Sequence, residues 1–345
     1  MQCPAGKSKR KPERESKKDP KKTAKKRAAL ILLFLGGMLL SAPAQSNRTS
    51  SASFLAPQNA ILPVPAELWV MRRAYPDILF NATYEFEKLD WRIDVTAPIW
   101  YGKRGRGNEK HATFYWANGS LLPPEELPNR TKYWTLLYQY AENLRDPATM
   151  SEEEKERLRN FSSVDNRRNG AGTPMFFFAF LYAAKTRIII EDHIKSVTLW
   201  GKKTRVHERI LPALRRVEAR VNALAETDDE VKRFVEDLYS ADAYHWRRIA
   251  DTNRLSFHSL GIAIDVLPKK WKGKQIYWLW ARDFVGPDWM LTPLAKRWMP
   301  PADVIAIFED EGFIWGGKWG IFDNMHFEYH PELFEVRKMR RALRG

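Results

Sequence analysis

The apolar positions of this chain change their spacing several times, and each change marks a different element. Between about 66 and 120 the pattern is β-like. Trp91-Arg92-Ile93-Asp94-Val95 alternates, Ala112-Thr113-Phe114-Tyr115-Trp116 is rich in strand formers, and Asn118-Gly119 predicts a hairpin turn. Residues 131–160 are expected to be helical, with Met150-Ser151-Glu152-Glu153-Glu154 as a helix start. Arg167 to Gly172 breaks the pattern at Asn169-Gly170, and Phe176 to Lys185 is apolar enough for a buried helix. A strand, Ser196-Val197-Thr198-Leu199-Trp200, then runs into a turn at Gly201-Lys202-Lys203. After it, Val206, Ile210, Leu214, Val217, Val221 and Leu224 fall three and four apart, which gives a helix one apolar face. Further helices are predicted over 228–240, near 302–312 and over 331–345.

Two later segments return to period two and carry chemistry. In Ile262-Ala263-Ile264-Asp265-Val266 the branched residues face a core, so Ala263 and Asp265 share the opposite face. His258 lies on the preceding loop, and Gly261 lets the backbone bend so that the imidazole folds back toward Asp265. Small Ala263 leaves room for a metal or a substrate. In Met325-His326-Phe327-Glu328-Tyr329 the same alternation puts His326 and Glu328 on one face. A sheet holding both strands presents His258, Asp265 and His326 to one point. Two imidazoles and a carboxylate with an open fourth position suit a catalytic zinc, because that position must hold water. Asp323 is a second carboxylate, three residues before His326, able to move protons for that water. Glu328 is placed to fix an imidazole tautomer from behind. His330 shares the face of His326 and is a candidate fourth ligand or substrate contact, whereas His111, His193 and His207 read as structural or solvated. Trp271, Trp278, Trp280 and Trp289 either line a substrate groove or fill a core.

Charge changes the picture only once it is located. The chain has 345 residues, 44% of them hydrophobic, so it has room for two domains or for one domain with a large extension. Its formal net charge of +15 points first to nucleic acid. Residues 1–44, however, hold 12 of the 57 Lys/Arg and only 3 of the 42 Asp/Glu. The modestly basic remainder suits an anionic wall polymer or membrane surface, and nucleic acid is not an expected partner. Lys21, Lys22, Lys25, Lys26 and Arg27 precede an apolar run from Ala28 to Leu40, followed by Ser41-Ala42-Pro43-Ala44. That is the layout of a secretory signal. The run is shorter than the roughly 20 residues of a spanning helix, so membrane attachment is expected only if the segment stays uncleaved as an anchor. Export to the periplasm or cell envelope follows. Residues 45–65, rich in Ser, Ala and Pro, read as a linker. The single cysteine, Cys3, precedes the apolar run, so neither disulfides nor a thiolate site is expected beyond it.

The two chemical segments resemble the M15 family of zinc peptidases, which includes D-alanyl-D-alanine carboxypeptidases, D-Ala-D-Ala dipeptidases and phage-type L-alanyl-D-glutamate peptidases. The pattern Ser-x-His-x-x-Gly-x-Ala-x-Asp is met by Ser256, His258, Gly261, Ala263 and Asp265. Trp-Gly-Gly-x-Trp is met by Trp315, Gly316, Gly317 and Trp319, and Asp/Glu-x-x-His by Asp323 and His326. The resemblance covers roughly 195–330. It implies that His258, Asp265 and His326 ligate Zn2+ and that Asp323 is general base and then general acid. It also implies a substrate-binding arginine upstream of His258. Arg247, in Tyr244-His245-Trp246-Arg247-Arg248-Ile249, fits best, with Arg248 and Arg254 as rivals. Ser256 either binds substrate or orients the loop. Many members carry Glu at the base position, and the shorter Asp323 resembles the branch containing L-alanyl-D-glutamate peptidases.

The expected fold is α+β: a small antiparallel sheet carrying the zinc site, helices packed against it, and a separate N-terminal β/α extension. The expected organisation is a signal or anchor over 1–44, a linker over 45–65, an N-terminal domain over 66–190 and the peptidase domain over 191–345. The expected substrate is a peptidoglycan stem peptide and the expected state a monomer. D,D-carboxypeptidase is the leading activity. L-alanyl-D-glutamate endopeptidase and a catalytically inactive, zinc-stabilised wall-binding module are the alternatives.

Overall fold

The computed structural model describes residues 64–99 and 109–342. The predicted signal or anchor, and the linker up to residue 63, lie outside the described residues.

Helix α1 (Ala66–Ala74) opens the described chain where the sequence reads as β-like. Its nine residues are too few to show a clear period, yet Leu68, Val70 and Met71 are buried. Strands β1 (Leu79–Glu85), β2 (Asp90–Pro98) and β3 (Glu109–Tyr115) form an antiparallel sheet in that order. The alternation read in the sequence is real, since Ile93, Val95 and Ala97 point into the core. The Asn118-Gly119 reversal also forms, with Asn118 at φ 57, but it pairs only Tyr115 with Leu122 rather than leading into another strand.

The helix expected over 131–160 shrinks to α2 (Glu152–Ser162). Pro147 follows the Asp146 cap of a short 3-10 turn, and the chain reaches helical geometry only after Ser151. There a capping box forms, with Ser151 and Glu154 each satisfying the other's backbone N–H. Helices α3 (Val164–Asn169), α4 (Phe176–Leu181) and α5 (Arg187–Glu191) are short.

Strands β4 (Ile194–Leu199) and β5 (Lys202–His207) make a hairpin whose two turn residues, Trp200 and Gly201, both have positive φ (45 and 74). Helix α6 (Leu211–Ala225) follows, then α7 (Asp229–Glu236) and β6 (Leu238–Asp242). The helix expected to reach 240 therefore stops early, because its last residues are claimed by a sheet edge. Strand β7 (Ala263–Pro268), α8 (Trp278–Val285), α9 (Ala302–Asp310), β8 (Phe313–Trp315), β9 (His326–Tyr329) and α10 (Pro331–Ala342) complete the order. The second sheet runs β6-β7-β9-β8 and is antiparallel throughout, the expected small sheet.

One face of that sheet is apolar: Ile264, Val266 and Phe327 are fully buried, and Phe308 of α9 stacks on Phe327 at 3.9 Å between centroids. Packing also crosses the boundary expected near 190. Met71, Phe80 and Phe177 belong to the same buried cluster as Leu214, Ile264 and Phe327, and α1 lies against α10. Among the described residues no helix is long and apolar enough to cross a membrane.

Candidate metal centre

His258 sits in a one-turn 3-10 segment, Phe257–Leu260, between β6 and β7. Ser256 caps that turn, its Oγ accepting the His258 N–H at 3.3 Å, so this residue orients the loop and does not line the groove beside the site. Gly261 ends the turn at φ 65, and a Cβ there would lie 2.8 Å from the backbone nitrogen of His207. Both facts demand glycine. Inside the turn, Ser259 Oγ accepts the Arg247 N–H at 2.9 Å and donates to the Arg247 carbonyl at 2.8 Å. The arginine and the histidine are thereby tied to one scaffold.

Pairing of β7 with β9 sets Asp265 directly opposite His326, and Ala263 opposite Glu328. Asp265 Oδ1 lies 2.8 Å from His326 Nδ1, and Oδ2 lies 3.2 Å from His258 Nε2. The two ring nitrogens are 3.1 Å apart. All three ligand atoms fall within 4.8 Å of one another. Behind them, His258 Nδ1 donates to the Ala243 carbonyl at 2.5 Å and His326 Nε2 faces Glu328 Oε1 at 2.8 Å. These outer partners take the ring protons. Two imidazole lone pairs and a carboxylate are then aimed at one spot, an arrangement that repels itself unless a cation sits there. The donor set therefore fits a divalent metal. In the metal-free protein a proton is drawn in instead. Burial works against a charged His326, but Asp265 and Glu328 raise it well above the usual imidazole range. Burial likewise opposes ionisation of Asp265, and His258 and His326 hold it well below the usual carboxylate range.

Asp323 is locked by backbone on two sides. Its N–H donates to the Gly316 carbonyl at 3.1 Å, and the segments around Tyr277 and Asp323 pair as a short bridge. Gly316 must be glycine because a Cβ would come within 2.6 Å of the Asp323 carbonyl oxygen. Trp315 Nε1 donates to the Asn324 carbonyl at 2.8 Å, and the Trp319 ring tilts against His326 at 5.4 Å. The Trp-Gly-Gly-x-Trp stretch thus shapes the Asp323 loop. Asp323 Oδ1 is buried with no hydrogen-bond partner. Burial, and then the Asp265 carboxylate, push the Asp323 carboxyl up to about 8 in the metal-free protein.

A groove of about 1020 Å³ opens from His258 and Asp265 along the β4–β5 hairpin, lined by Arg247, Lys203, Arg205 and Arg215 among others. Arg247 lines this groove, and no acceptor among the described residues holds its guanidinium. Its charge reaches both Asp323 and Tyr277. The rivals are committed elsewhere. Arg254 donates to the Ala171 and Arg167 carbonyls, and Arg248 to the Asn253 carbonyl. His330 is not a fourth ligand, because its two nitrogens face Glu328 and Glu332. The tryptophans do not line the groove: Trp278 and Trp289 pack with Phe322, and Trp271 stacks on Trp280. Sequence reasoning missed Ala243, whose contribution is a carbonyl, and Ser259, which a motif position marked x conceals.

Residues 67–137 match the family model of a domain of unknown function, DUF8518. No curated protein and no solved structure matches the chain. Residues 250–329 match the family model described as D-alanyl-D-alanine carboxypeptidase, a span that begins later than the resemblance in the motifs and leaves Arg247 just outside. His258, Asp265, Asp323 and His326 all fall within it, and the chain carries an M15-family metallopeptidase domain, from a family that acts on peptidoglycan.

Proposed function

We propose that this protein is a zinc peptidase that removes the terminal D-alanine from peptidoglycan stem peptides, a D,D-carboxypeptidase. The observation that carries this reading is the convergence of His258, Asp265 and His326 at the head of the basic groove. Two imidazoles and one carboxylate match the three-ligand set of a catalytic zinc. When bound, the metal supplies Lewis acidity to the scissile carbonyl and makes the attacking water more acidic.

The remaining work falls to the protein. His258 and His326 keep their ring protons on the outer nitrogens, toward Ala243 and Glu328, so the inner nitrogens stay available. Asp323 takes a proton from the attacking water and returns it to the leaving amine. Its elevated proton affinity suits both halves of that exchange, and a neighbouring cation pulls it back toward the carboxylate form. The Arg247 fork holds the terminal carboxylate of the stem peptide. Lys203, Arg205 and Arg215 favour an anionic chain further along the groove. Such a substrate lies outside the cytoplasm, in keeping with an exported protein.

Asp323 supports a second reading. An aspartate at the base position is the feature shared with L-alanyl-D-glutamate peptidases, which cut within the chain. Full-length protein loaded with zinc and incubated with purified muropeptides separates the readings by mass spectrometry. Loss of one alanine supports the carboxypeptidase, and a cut after L-alanine supports the endopeptidase. Stoichiometric zinc with no product leaves a wall-binding module.

A further inference from the structure

We propose that the N-terminal helix is a working part of the metal site: Tyr75, through a buried chain of Glu332, His330 and Glu328, positions the His326 ring. The inference rests on the metal-site reading above and extends it beyond the matched peptidase span.

The chain is continuous. Glu328 Oε1 meets His326 Nε2 at 2.8 Å, and its Oε2 meets His330 Nε2 at 3.2 Å. His330 Nδ1 meets Glu332 Oε1 at 2.7 Å, and the Tyr75 hydroxyl donates to Glu332 Oε2 at 2.6 Å. Every member is buried, Glu332 completely. Four links therefore run from a ligand of the metal to the end of α1, and no water is needed to complete them.

Hydrogen-bond accounting fixes the charges. Both nitrogens of His330 face carboxylate oxygens, and a neutral imidazole donates only once. His330 must carry both protons, and the electrostatics agree: burial opposes its charge, but Glu332 and Glu328 lift it to about 9. Glu328 thus has two partners, the His326 ring on Oε1 and the His330 imidazolium on Oε2. Remove the imidazolium and Glu328 keeps one partner instead of two. It is then free to turn away from His326, and the ring loses the contact that sets its tautomer.

The aromatic surroundings hold His330 in place. Phe257, next to His258, meets its ring edge-on at 4.7 Å, and Phe178 of α4 does the same at 5.2 Å. Tyr138 lies close enough to Glu328 and Glu332 to feel both charges. Tyr75, Tyr138 and Phe178 all precede residue 190, so the region before the matched peptidase span contributes to the surroundings of a centre whose ligands lie within that span.

The test uses the full chain and reads the zinc dissociation constant by chelator competition, alongside the melting temperature of the metal-free protein. Tyr75→Phe keeps the ring in the core and removes only the hydroxyl. It is expected to weaken zinc binding by about 3- to 10-fold, and His330→Gln by about 10- to 100-fold, the range for outer-shell partners of metal ligands. The double variant should bind no more weakly than His330→Gln alone, since the residues act in series. A lowered melting temperature with unchanged zinc affinity in both single variants overturns the proposal, as does strict additivity. His258→Ala separates the two readings: if it too binds zinc like the parent protein, the metal site itself is misassigned.

Discussion

The two main sheets of this protein solve opposite problems. In β1-β2-β3 the strands are seven to nine residues long and the inner face is mostly apolar, with Ile93, Val95 and Ala97 inside and Lys110, opposite Ala97, donating to the Phe180 and Leu181 carbonyls. Arg92 and Asp94 pair on the outer face. In β6-β7-β9-β8 the strands are three to six residues long. One face is apolar, but the other carries Asp265, His326 and Glu328 in the interior. An apolar face is stabilised by neighbours of any suitable shape. Buried charged and polar groups need specific partners, which come here from Ala243, His330 and Tyr75, far apart in the chain. Length and regularity thus belong to the sheet that does not carry the metal-facing side chains.

Three changes sharpen this contrast. The largest effect is expected from Asp323→Asn, which keeps the shape and removes the base. Turnover should fall by about 10²- to 10⁴-fold with zinc content unchanged. Zinc lost in parallel with activity would show that Asp323 holds the site together instead. Next is Ile93→Ala in the first sheet, expected to cost about 2–5 kcal/mol of folding stability in denaturant unfolding. Zinc affinity of the folded variant should stay within about twofold of the parent's. A large change would mean that the whole N-terminal region, and not the Tyr75 chain, governs the metal.

The smallest effect involves His207, a buried imidazole with no carboxylate against it. Burial, and then the nearby His193, lower it to about 3, whereas an unfolded histidine titrates near 6.5. The unfolded chain binds the extra proton below 6.5, so this contribution is present above that pH and is lost as pH falls toward 3. The slope cannot exceed about 1.4 kcal/mol per pH unit. Metal-free melting followed from pH 7 to pH 4 should flatten in His207→Gln. His330, between its two glutamates, has the opposite sense: its contribution is full below 6.5 and fades as pH rises through about 9.

The period-two runs 262–266 and 325–329 made the second sheet's inner face and two metal-facing side chains, Asp265 and His326, legible in the sequence, and the loop before the first run gave His258. They also gave Glu328, because two residues along a strand return to the same face. Local chemistry was legible too: the Ser151 cap, and the need for glycine at 261. What failed depended on distance or on backbone. The expected helix over 131–160 gave way where Pro147 and the absence of a 3.6 period left only its last turns. Residues 238–240 read as the end of a helix and become part of a strand because β7 is there to pair with them. The partnership of Tyr75 with Glu332 has no local signature, since 257 residues separate them.

That separation has a consequence in time. A growing chain that has reached residue 300 already holds His258 and Asp265, but neither His326 nor the glutamates behind it. Pairing of Tyr75 with Glu332 must then close a loop of 257 residues, among the longest-range contacts the fold makes. The outer partners of the centre can therefore pair only after almost the whole chain has been made.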